Sequence, residues 1–70
     1  MAEYRRPGGH IFEYETLRET GNNLWAADGY LKSDPSVVIR TNTFKTKREA
    51  DLEFMKRAKQ IADSRKAKRQ

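Results

Sequence analysis

Residues 37–50 read VVIRTNTFKTKREA, and the change of pattern inside that stretch decides the fold. Val37, Val38, Ile39, Thr41 and Thr43 are β-branched and suit a half-buried pleated surface, so residues 37–44 are expected as a strand. Thr46-Lys47-Arg48-Glu49 then matches a capping box. In that motif the threonine hydroxyl accepts from the backbone N–H three residues on, while the glutamate reaches back to the threonine N–H. A helix should therefore start at Lys47. On a helix, Ala50, Phe54, Ala58, Ile61 and Ala62 share one side with Met55 at its flank, so a single apolar stripe faces a sheet and Leu52 faces solvent. The stripe ends at Ala62, and residues 64–70 are expected as a basic, fraying tail.

Toward the N-terminus, Ser33-Asp34-Pro35-Ser36 is a turn signal with Pro35 presetting φ. Before it, residues 24–32 alternate, and Trp25, Ala27, Gly29 and Leu31 form the more apolar face. Thr20-Gly21-Asn22-Asn23 supplies residues that tolerate positive φ, which makes a hairpin with the strand before it. In that strand, residues 10–19, Phe12, Tyr14 and Thr16 are expected inward. The other face carries Glu13 and Glu15, whose unpaired burial would cost several kcal/mol each. Residues 1–9, MAEYRRPGG, show no apolar periodicity and end in Pro-Gly-Gly, so they read as a flexible arm. The expected fold class is α+β: a three-stranded antiparallel meander with one C-terminal helix packed on one face (β-β-β-α), spanning residues 10–63.

Composition bounds the function. The chain has 70 residues, 15 Lys and Arg against 10 Asp and Glu, and no Cys. A chain this short buries only about 60% of its unfolded surface, so it holds one core. The mean hydropathy of -1.04 would suit disorder, yet Trp25, three Tyr and three Phe are more aromatic residues than a tail needs. Absent cysteine excludes a disulfide scaffold and a thiolate metal site, and points to a reducing cytoplasm. No apolar run approaches the roughly 20 residues of a membrane helix. The charge is uneven: residues 1–46 carry six cations and six anions, while residues 47–70 carry nine against four, so the whole +5 lies in the C-terminal third.

The inventory for catalysis is short. His10 is the only histidine and sits beside Gly8-Gly9 at the edge of the arm, where a surface position explains it. Gly8-Gly9 lacks the spacing and the Lys of a phosphate-binding loop. Glu13 and Glu15 share a strand face by ordinary alternation. No catalytic residue, metal ligand, cofactor or small-molecule substrate is read from the chain, and no enzyme is expected.

Nucleic-acid binding has a stronger footprint. Lys56, Arg57, Lys59, Arg65, Lys66, Lys68 and Arg69 form a basic run that could neutralise phosphates and release counterions. The competing explanation is that cations near a helix C-terminus offset the macrodipole. Arg5-Arg6 could track a groove, and Tyr14, Trp25 and Tyr30 could stack on bases, although a core this small has structural uses for those rings.

The segment Phe44-Lys45-Thr46-Lys47-Arg48-Glu49-Ala50, following an antiparallel meander whose second strand opens on Trp25, resembles a group of small bacterial β-β-β-α proteins. Its element order is also similar to the arm-binding domain at the N-terminus of tyrosine recombinases. That resemblance implies DNA binding with the exposed sheet face in the major groove, and so implicates Arg40, Asn42, Tyr30 and Lys32. The expected function is a small cytoplasmic nucleic-acid-binding accessory protein, contacting DNA or RNA phosphates through the C-terminal helix and tail. The alternative is a protein-interaction module or homodimer using the open sheet face, where Leu24 and Tyr30 are expected to leave apolar area uncovered.

Overall fold

The computed structural model describes residues 2–67, with side chains through Arg65. The element order is β1 (Ala2–Arg5), β2 (Ile11–Arg18), β3 (Trp25–Leu31), β4 (Asp34–Arg40) and α1 (Lys47–Ala67). All neighbouring strands are antiparallel, in the order β1-β2-β3-β4. The α+β class, the meander and the single C-terminal helix match expectation; the number of strands does not.

The fourth strand comes from the segment read as an arm. Ala2–Arg5 pairs with β2, placing Tyr4 opposite Phe12 and Glu3 opposite Glu13. The Pro-Gly-Gly that reads as a hinge is the turn between them. Gly8 and Gly9 have φ of 98° and 91°, values a Cβ disfavours, and the Arg6 N–H bonds the His10 carbonyl at 2.8 Å. A four-residue strand is too short for its alternation to stand out, yet Tyr4 packs against the core and Glu3 pairs with Arg5 at 3.2 Å. Arg6 donates to the Tyr4 hydroxyl at 3.3 Å and lies over its ring, so the two arginines of the supposed arm belong to the folded sheet and its first turn.

The third predicted strand is displaced. β4 begins at Asp34 and stops at Arg40, so the reversal after β3 takes only Lys32 and Ser33. A bulge lies between Tyr30 and Leu31, and Asp34 closes its own turn by accepting from the Ser36 N–H at 3.3 Å and hydroxyl at 2.6 Å. Beyond Arg40, Thr41 ends the regular ladder. Its hydroxyl accepts the Ala27 N–H at 2.9 Å and donates to the Asn42 carbonyl at 2.8 Å, taking one of the bonds a continuing strand would make. Phe44 then meets Trp25 as an isolated bridge.

The core is one layer thick. Phe12, Tyr14, Ala27, Leu31 and Ile39 from the sheet meet Ala50, Phe54, Ala58 and Ala62 from α1. The three alanines let the helix approach closely, and Phe54 fills the space, stacked on Tyr14 at 4.5 Å and edge-on to Phe12 at 6.4 Å. Leu52 is exposed, as its helical position requires. The N-cap half of the capping box is formed, with the Glu49 N–H donating to the Thr46 hydroxyl at 3.2 Å, while the Glu49 carboxylate reaches back to that hydroxyl, at 3.0 Å, where the motif has the Thr46 N–H. The helix runs on through Ala67, past the point where the apolar stripe stops.

Candidate functional site

Among the described residues, two surfaces gather charged side chains from several elements: the open face of the sheet and the seam between β4 and α1. The register gathers Glu3, Glu13, Glu15 and Asp28 on the open face, with Glu3 opposite Glu13 and Glu15 opposite Asp28. Like charges in direct cross-strand register are unfavourable unless cations intervene. Lys32 does so, reaching Glu3 at 3.5 Å and Glu13 at 3.9 Å. Tyr30 donates its hydroxyl to Glu13. The Arg5 hydrogen bond and then the Lys32 charge hold the Glu3 carboxyl below its ordinary range. Tyr30 and Lys32, two residues implicated in contacting DNA, are thus engaged with carboxylates on an acidic face.

Glu13 accepts from the Tyr30 hydroxyl, and this bond, ahead of desolvation and charge, pushes the Tyr30 phenol above its ordinary 10.0. A raised phenol favours folding fully below the unfolded value and loses that contribution as pH rises through the folded value. Glu13→Gln should therefore lower the Tyr30 midpoint toward 10.0 and leave the Tyr14 phenol, raised first by burial and then by Asp51, where it is. Tyrosine-resolved NMR titration reads both midpoints; an unmoved Tyr30 would refute the pairing.

The second surface is a groove of about 910 Å³ between β4 and the helix. Val37, Val38 and Ile61 supply apolar walls, and Arg40, Lys56, Arg57 and Arg65 supply charge. Helical spacing brings Arg57, Ile61 and Arg65 to the β4 side at four-residue intervals, while strand alternation puts Ile39 into the core and leaves Arg40 outside. Glu53 holds Arg57 through Nε at 3.0 Å, and Asp34 meets Arg65 at 3.8 Å. A hydrogen bond from the Ser36 hydroxyl, and less so the Arg65 charge, keep the Asp34 carboxyl below its ordinary 3.8. Arg40 and Lys56 have no ion pair among the described residues. No family model, curated protein or solved structure matches the chain.

Of the residues singled out in the sequence, the fold brings together Arg40, Lys56, Arg57 and Arg65. Lys59 is exposed and does not line the groove, and Asn42 is exposed in the loop after β4. Lys68 and Arg69 lie outside the described residues, as does the side chain of Lys66. Trp25 and Tyr14 are spent on the core and its margin. The sequence reading missed Val37, Val38 and Ile61 as groove walls and Glu53 as the partner of Arg57. The four-residue spacing of Glu53 and Arg57 was the available signal. Among the described residues, no helix is long and apolar enough to cross a membrane.

Proposed function

We propose that this protein is a non-enzymatic binding module that holds an anionic macromolecule in the groove between β4 and α1. The observation that carries the reading is the convergence of Arg40 with Lys56, Arg57 and Arg65 over apolar walls, with Glu53 the one acidic residue in the lining. With Arg57 paired to Glu53 and Arg65 to Asp34, the net positive charge of the trough comes from Arg40 and Lys56. A trough of one sign attracts and orients a ligand of the other. Nucleic-acid phosphate is the second reading, favoured by Arg48, Lys56 and Lys59, which stand exposed along α1.

The test is a salt titration of the full chain with polyglutamate and with single-stranded and duplex oligonucleotides. Binding to at least one polyanion should be measurable at about 50 mM salt and fall as salt rises. The double variant Arg40→Glu, Lys56→Glu should weaken it at least about tenfold, since both side chains are exposed or outward and neither is in the core. Binding of every polyanion weaker than millimolar at low salt overturns the proposal. Under the nucleic-acid reading, truncation after Ser64 removes oligonucleotide binding and leaves the fold intact.

A further inference from the structure

We infer that the occupant of the groove is an extended acidic peptide segment that adds to β4 as a fifth strand. The inference rests on the anion-binding reading of the groove and names the partner. β4 is the last strand in the sheet order, so among the described residues one side of its backbone has no strand neighbour. Ile39 lies opposite Gly29, and the Thr41 N–H donates to the Ala27 carbonyl at 2.9 Å. Backbone groups alternate in direction along an antiparallel strand, so Ile39 and Thr41 face β3 while Val38 and Arg40 present N–H and C=O to the open edge. Arg57 supports this assignment, because its Nη1 donates to the Arg40 carbonyl at 2.9 Å. The guanidinium occupies the place that an N–H from an added strand would take. An open edge of this kind is the template for strand addition.

The walls select the sequence that fits. Side chains of an added strand would alternate between the helix side and the open-face side. On the helix side they would meet Val37 and Ile61 together with Lys56, Arg57 and Arg65; on the other side they would meet Val38 and Arg40. The complement is an extended chain carrying carboxylates beside Val- or Ile-like residues. No aromatic ring lines the groove, so it lacks the stacking platform that single-stranded nucleic acid uses. A second copy pairing β4 with β4 would bring Arg40, Arg57 and Lys56 against themselves, which charge disfavours.

The probe is a capped synthetic peptide of about six residues, a typical strand length, alternating Glu or Asp with Val or Ile. Its controls are the same peptide with Lys at the acidic positions, the same peptide N-methylated on alternate amides, and a single-stranded oligonucleotide. All are titrated into the full ¹⁵N-labelled chain, with amide hydrogen exchange followed at Val38 and Arg40. The expected result is binding of the acidic peptide with slowed exchange at those two amides. Affinity should fall at least tenfold for the Lys peptide and for N-methylation in the bonding frame. The N-methyl control needs no altered protein and leaves every wall of the groove in place.

Equal affinity for both N-methylated frames and the parent peptide overturns strand addition. Oligonucleotide binding without peptide binding overturns the acidic-peptide inference and upholds the nucleic-acid reading. Failure of every anionic probe overturns the inference together with the anion-binding reading. Exchange at Val38 and Arg40 that slows with protein concentration, without peptide, makes a second copy the occupant and also overturns the inference.

Discussion

Replacing Phe54 with alanine is expected to remove a large part of the domain's stability at 25 °C. Phe54 is fully buried, with Phe12 and Leu31 one of the three largest completely enclosed side chains among the described residues. It is the contact that joins the layers: its ring stacks on Tyr14 at 4.5 Å and meets Phe12 edge-on at 6.4 Å. Deleting a buried Phe costs about 3–5 kcal/mol, because transfer energy is lost and the cavity left behind closes only partly. At about 0.05–0.15 kcal/mol per residue, a chain of 70 residues has a total of about 4–10 kcal/mol to lose. The flanking Ala50, Ala58 and Ala62 cannot swing side chains into the hole. Phe54→Leu, which keeps most of the volume, should cost less than about 1.5 kcal/mol. Urea and thermal melts followed by circular dichroism give both numbers. A loss below about 1.5 kcal/mol for the alanine variant would mean that the helix is not docked through this ring.

Gly29→Ala is the second large effect, and its cause is space. Gly29 lies opposite Tyr14 in the central β2–β3 pair. A Cβ there would stand 2.1 Å from the Glu13 carbonyl oxygen, 2.6 Å from Tyr14 Cβ and 2.7 Å from Tyr14 Cα. Two of these three atoms are backbone and the third is fixed to it, so relief requires β2 and β3 to separate. That movement displaces Tyr14 from its stack on Phe54. Overpacking a tight site costs typically about 1–3 kcal/mol, and an obstacle made of backbone belongs at or above the top of that range. The matched control is Gly21→Ala: there nothing lies within 4 Å, and the cost is that of placing alanine at φ 100°. Gly29→Ala should melt below Gly21→Ala, and a melt within about 1 kcal/mol of the parent chain would show that the strands do not approach this closely. The two predictions share Tyr14, so their effects should not add in the double variant.

The groove and the acidic sheet face together turn an uneven charge along the chain into an uneven charge in space. The neutral first two-thirds of the sequence holds an acidic cluster on the open face, where Arg40 stands opposite Asp28 and also reaches the lining of the groove. For a ligand of negative charge the useful quantity is this local arrangement. The net +5 describes only the long-range field.

What the sequence determined by itself is what depends on near neighbours. The capping box placed the start of α1 at Lys47, because its hydrogen bonds span three residues. Period-2 alternation picked Phe12, Tyr14, Ala27 and Leu31 for the core, and helical periodicity picked Ala50, Phe54, Ala58 and Ala62, because those faces follow from backbone geometry alone. Only the tertiary structure decided that Ala2–Arg5 is a strand, since so short a polar segment is held by β2 and by Tyr4 on the core, with little propensity of its own. It also decided that β4 stops at Arg40, because the Thr41 hydroxyl competes for the bond that would have carried the ladder on. The groove was least legible of all. Arg40 and Arg57 are 17 residues apart in sequence, and only the packing of α1 beside the edge of β4 brings a guanidinium to a strand carbonyl.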